Sequence, residues 1–136
     1  MEAINAFFRS IYNTHDEAKS LIGEAIDYFH LKQYQGLILG VEENVFRLVL
    51  DEAVTNAIEH GNMRDPSKRV CVVITPLKNN ARITVIDEGN GFGYSVVKNP
   101  TLPENKLNYG GRGIFLMKNF GKISWNRQGN CVSVMI

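Results

Sequence analysis

In the stretch "LVLDEAVTNAIEHGN", residues 48–62, Glu52 and Asn56 stand four residues apart within a run whose apolar spacing predicts a helix. At about 100° per residue, Val45, Val49, Glu52 and Asn56 fall within one arc of roughly 60°. A carboxylate and a carboxamide therefore interrupt an inward stripe. Burying an unpaired carboxylate costs on the order of several kcal/mol, so something must compensate it. Either an arginine pairs with Glu52 at the edge of a wide stripe, or the two side chains face a polar cavity. A second carboxylate repeats the anomaly: Ala81, Ile83 and Val85 share one strand face, and Asp87 falls on the same face by period two. Directly after it, "EGNGFG" alternates Gly89, Gly91 and Gly93, small residues that let backbone approach a ligand. Farther on, "YGGRGIFLMK" sets Gly110, Gly111 and Gly113 at the start of a helix, where free N–H groups and the positive dipole end suit a phosphate. Each signal has a plainer reading: a stripe edge, a turn, a flexible lead-in to a helix. None has the spacing of a P-loop or of a dinucleotide fingerprint.

The elements that must position these residues can be read along the chain. A length of 136 residues, 44% hydrophobic and 21% charged, predicts one domain over residues 1–136 with a core of its own. A net charge of +1 gives no field that argues for nucleic acid or an anionic membrane. No apolar run reaches the roughly 20 residues of a bilayer span, and "MEAINAFFRS" lacks the regions of a secretory signal, so the cytoplasm is the expected compartment. Cys71 and Cys131 lie in strand-like runs without metal-ligand spacing and are expected to be buried free thiols.

"NAFFRSIYN" reads as a first strand, and "THDEAKSLIGEAIDYFH" as an amphipathic helix opened by Thr14 and Glu17 at capping-box spacing. A second helix runs from about Glu42 to His60 and stops at Gly61-Asn62, with His60 read as part of that cap. "RVCVVITPL" and "ARITVID" form a hairpin in which Asn79 and Asn80 are expected to take positive φ. A long loop over 88–111 precedes a short helix, "RGIFLMKNF", and a closing hairpin, "KISWN" and "CVSVMI", with Trp125 packed on the sheet. The order predicts an α+β fold: a two-layer sandwich with helices on one face of a mixed, mainly antiparallel sheet.

Taken in order, "EAVTN" on a helix, "DEGNGFG" after a strand and "GRGIFLMK" beyond a loop resemble the GHKL ATPases, the superfamily of gyrase, histidine kinases and MutL. Within it the chain is similar to the stand-alone anti-sigma-factor serine kinases. "DEAVTNAIEHGN" resembles the N box, "VIDEGNGFG" the first glycine box, and "NPTLPENKLNYGGRGIFLMK" the lid and second glycine box, with the lid at about 94–111. The resemblance implies the Bergerat ATP-binding fold. It implies that Asn56 coordinates Mg²⁺ on the phosphates of ATP, and that Glu52 acts as general base on an attacking hydroxyl. Asp87 would accept a hydrogen bond from the adenine amino group, directly or through water, helped by Ser133. Gly91 would let the chain pass close to the base, and Gly89 would belong to the same nucleotide-binding set. Gly111 and Gly113 would hold phosphates, with Arg112 either joining them or facing solvent.

The resemblance further implies an ATP-dependent serine/threonine protein kinase that phosphorylates an anti-sigma-factor antagonist of STAS type and sequesters a sigma factor, as a homodimer. The alternative is a nucleotide-binding switch of the same fold that acts through protein contacts alone. A gyrase- or MutL-like clamp is disfavoured because no transducer domain follows Ile136, and a complete histidine kinase because no phosphoacceptor domain is present. Two departures from the subgroup stand out: "KNFGKISW" brings Gly121 early, and on the first helix only Lys19 offers a basic residue to partners.

Overall fold

The computed structural model describes residues 5–89 and 117–136. Strand β1, Phe7–Tyr12, leads into helix α1, His15–Tyr34. Thr14 caps α1: its hydroxyl accepts the Glu17 N–H at 3.3 Å, and Asp16 and Glu17 place negative charge at the dipole's positive end. The helix buries Leu21, Ala25, Ile26 and Phe29, and runs one turn beyond the predicted end. Helix α2, Glu43–Asn56, is joined to α1 by a pair between His30 and Glu43 and by the mutually tilted rings of Phe29 and Phe46, with centroids 4.7 Å apart.

Where one continuous helix to His60 was expected, α2 gives way after Asn56 to a π-turn, Ala57–Gly61. The Asn62 N–H closes it onto the carbonyl of Ala57 at 2.7 Å, a five-residue bond that widens the last turn. Met63 and Arg64 then take left-handed φ of 54° and 60° and turn the chain toward the sheet.

Strands β2, Arg69–Pro76, β3, Ala81–Asp87, β4, Lys122–Trp125, and β5, Cys131–Met135, complete a five-stranded sheet of order β1-β2-β3-β5-β4. Every pairing among the described residues is antiparallel, and the architecture is the expected α+β one. The core lies between the helices and one sheet face. Val70, Val72, Ile74, Ile83, Val85 and Val134 alternate inward by period two against Phe29, Phe46, Val49 and Leu50. No helix among the described residues is long and apolar enough to cross a membrane.

Two local expectations fail, each for its own reason. Asn79 and Asn80 do not adopt positive φ, because the β2–β3 connection spans residues 77–80 and is not a two-residue turn. Its tip is held from outside: the N–H groups of Ile38, Leu39 and Gly40 donate to the carbonyls of Leu77, Lys78 and Asn79 at 2.7–3.1 Å. The strained residue is instead Ile38, at φ 49°, kept there by burial of its side chain. Cys71 and Cys131 are free but only half-buried, since Val70, Val72, Val132 and Val134 take the inward positions and alternation turns both thiols to the outer face.

Candidate nucleotide site

The inward stripe of α2 is Phe46, Val49, Leu50, Ala53 and Val54. Glu52 and Asn56 flank it, both half-buried, so the arc drawn from the sequence was centred too far to one side. The two then part company. Asn56 joins Ala57, Asp87, Trp125, Asn130 and Val132 in lining a cleft between the end of α2, the strands β3 and β5, and the β4–β5 hairpin. Glu52 is not among the described residues of that lining.

Asn56 enters the cleft from the last position of α2, directly before the π-turn. Its Nδ2 is buried and has no hydrogen-bond partner among the described residues. A buried amide left in that state costs free energy unless something outside the protein completes it. Which end of the amide faces outward is a choice of orientation, so the vacant position suits an acceptor or, turned over, a cation.

Asp87 is 8% exposed, at the inward end of β3. Burial pushes its carboxyl above the usual range, and the pull is only partly offset by the Gly89 N–H, donated to Oδ1 at 2.8 Å, and by Lys68. Its backbone is pinned on the hairpin side: the Asp87 N–H donates to the Asn130 carbonyl at 2.9 Å, and Asn130 Nδ2 donates to the Asp87 carbonyl at 3.3 Å. A carboxylate only accepts, so the cleft offers a fixed acceptor at one end and an unsatisfied amide at the other. Trp125 and Val132 supply an apolar wall between them, with the Lys118 ammonium 5.8 Å from the indole.

Glu52 has its carboxyl raised first by burial and then by the neighbouring Asp51. Among the described residues no arginine or lysine pairs with it.

Ser133 requires a correction. Its hydroxyl bonds to Thr84 Oγ1 at 2.9 Å on the outer face, while its neighbours Val132 and Val134 point inward. It cannot reach the Asp87 side of the sheet. Asn130 and Val132 occupy the positions for which it was invoked, and the Val132/Val134 alternation was the signal that could have identified them. Gly89 lies against Gly61 and Asp87. Gly91, Gly111, Arg112, Gly113 and the lid expected at 94–111 fall outside the described residues.

The sequence profile of the histidine kinase-like ATPase domain matches residues 35–136, three quarters of the chain, including α2, Asp87 and the closing hairpin. No curated protein matches the chain. With Asn56, Asp87 and the hairpin brought around one cleft in a helix-backed antiparallel sheet, the chain belongs to the histidine kinase-like ATPase domain family.

Proposed function

We propose that this chain is an anti-sigma regulatory factor with Mg-ATP-dependent serine/threonine protein kinase activity. It would phosphorylate an anti-sigma-factor antagonist of STAS type and, in its other state, sequester a sigma factor, acting as a homodimer in the cytoplasm. The observation that carries the ATP-dependent part is the unpartnered Asn56 amide across one cleft from the buried Asp87 acceptor, in a chain of this family. The narrower identity is supported by the resemblance of the N box, the glycine boxes and the intervening segment to the anti-sigma kinases.

The residues present fit Mg²⁺. The ion keeps several waters and takes few protein ligands, so it needs one amide oxygen and no acidic cluster. Asn56 can supply that oxygen, and among the described residues no group of three or more His, Cys, Asp or Glu forms a site for a tightly caged metal. When bound, the ion would neutralise phosphate charge. The chain's own contributions are then separable: Asp87 accepts from the base, Asn56 orients the phosphates, and Glu52 accepts the proton of an attacking serine or threonine hydroxyl. A carboxyl raised toward neutrality suits that last task.

A second reading, a switch that binds nucleotide without phosphotransfer, draws support from the position of Glu52 outside the described lining of the cleft. Incubation with labelled ATP and candidate antagonist proteins separates the two. Label on a serine or threonine of the antagonist, lost in Glu52→Gln, supports the kinase. Nucleotide binding and partner exchange without transfer supports the switch. Sedimentation of the free chain tests the dimer, for which a monomer at all concentrations would be the contrary result.

A further inference from the structure

Gly61 ends the π-turn, and its backbone is pressed against the Asp87 carboxylate. A Cβ built on Gly61 would lie 2.8 Å from Asp87 Oδ1 and closer still to Oδ2. The backbone of Gly61 is not left-handed, so conformational freedom is not why glycine stands here. Alanine would suit a helical turn better by roughly 1 kcal/mol. The demand for glycine is tertiary: the volume of the missing side chain is where the carboxylate stands. Gly89 closes the same spot from the other side, since a Cβ there would overlap the Gly61 carbonyl and lie 2.9 Å from Asp87 Oδ1.

Asn62, the next residue, fixes this approach. It is fully buried, and its Oδ1 accepts the Glu88 N–H at 2.8 Å, directly after Asp87. Its Nδ2 donates to the Arg69 carbonyl at 2.9 Å and to Asn13 Oδ1 at 3.2 Å. Asn13 in turn donates to the carbonyl of Ile58 inside the π-turn at 3.3 Å. One side chain thus ties the end of the helix to the start of β2 and to the residue that follows Asp87. Groups linked in this way have one low-energy arrangement, so the carboxylate has little freedom to turn.

We propose that Gly61 is a positioning residue for base selection, because the space left by its absent side chain holds the Asp87 carboxylate in place and Asn62 maintains that spacing. The inference rests on the reading of Asp87 as the acceptor for the adenine amino group. It assigns to Gly61-Asn62 a task beyond capping a helix.

The test compares binding of ATP and inosine triphosphate, which carries a carbonyl in place of the amino group, by calorimetry on wild type, Gly61→Ala, Asp87→Ala and the double variant, with thermal unfolding of each. Gly61→Ala is expected to lose about ten-fold of the preference for ATP, the usual worth of one displaced hydrogen bond, with inosine triphosphate binding unchanged. In the Asp87→Ala background the same substitution should change neither preference nor stability for the worse, because the overlapping atoms are gone. A Gly61→Ala protein that keeps the wild-type preference, or that loses both nucleotides equally, overturns the proposal. Should Gly61→Ala fail to fold, the double variant decides: folding supports the proposal, and failure overturns it. A wild type that binds both nucleotides equally shows instead that the reading of Asp87 is wrong.

Discussion

Asn56 and Glu52 are one helical turn apart, yet the fold sends them to different surroundings: the amide lines the cleft, and the carboxylate stands beside it. Their substitutions should therefore separate. Asn56→Ala is expected to weaken Mg-nucleotide binding, whereas Glu52→Gln should leave binding intact and lower phosphotransfer by roughly 10²- to 10⁴-fold, the range of a general base. Calorimetry and transfer rates on the two variants check this, and an unchanged rate in Glu52→Gln would leave that carboxylate without a catalytic part. For Asp87 the observable is pH. Burial raises its carboxyl above the ordinary value of 3.8. Between that value and the raised one, the folded chain holds a proton that the unfolded chain has released. The associated stability is full at low pH and is lost as pH rises through the folded-state pKa. Ionised Asp87 thus costs stability at neutral pH, and Asp87→Asn should be at least as stable as the parent there, while recognising the base less well. Urea denaturation across pH should show this advantage shrinking as pH falls through the raised pKa. An advantage that is constant with pH would mean that the bond from the Gly89 N–H cancels the desolvation, and a deficit at neutral pH that disappears as pH falls would mean that the bond dominates.

At the scale of elements, the β4–β5 hairpin is both a structural closure and one wall of the cleft. Its turn is organised by Asn126, whose Oδ1 accepts the N–H groups of Gly129, Asn130 and Cys131 at 2.8–3.2 Å, with Gly129 at φ 81°. Asn126→Ala is expected to cost about 1 kcal/mol by removing those bonds, since the Asn130 and Cys131 N–H groups can turn to water and the Gly129 N–H keeps the Asn126 carbonyl at 3.2 Å. Because Gly129 and Asn130 line the cleft, it should also weaken nucleotide binding. Denaturation and calorimetry on one preparation check both, and a stability loss with unaltered binding would show that the hairpin only closes the sheet. The Thr14 cap on α1 is remote from the cleft, so Thr14→Ala should cost about 1 kcal/mol and leave nucleotide affinity as it is. Such local devices are legible in sequence: the Thr14–Glu17 spacing, the inward parity of Asp87 and the hydrophobic alternation of β2 and β3 each follow from neighbours within a few residues. The outward turn of Cys71 and Ser133 is equally legible from alternation, since Val70, Val72, Val132 and Val134 hold the inward parity. What no local pattern carries is the approach of distant backbones. The 38–40 segment braces the 77–80 tip, the helix widens into a π-turn at Ala57, and Gly61 meets Asp87 across 26 positions of sequence.

On the scale of the whole molecule, the cleft is built from both layers. Asn56 and Ala57 come from the helical layer, Asp87 and Val132 from the sheet, and the core that joins the layers runs directly beneath through Ala53 and Val85. A ligand spanning those walls binds the assembled fold and has no equivalent site on the unfolded chain. At a nucleotide concentration 100 times its Kd, the folded state should then gain about 2.7 kcal/mol. With an unfolding entropy of about 2.1 cal/mol/K per residue, a chain of this length should show a rise in Tm of roughly 10 °C. The transition should stay single, because neither wall of the cleft can be lost without the other. Scanning calorimetry with ATP and Mg²⁺ tests this. Asn56→Ala should remove most of the Mg²⁺-dependent part of the shift while retaining a nucleotide-dependent remainder held by Asp87. Two resolved transitions, with only one of them moving on addition of nucleotide, would show that the helical and sheet layers unfold separately and that the ligand engages one wall alone.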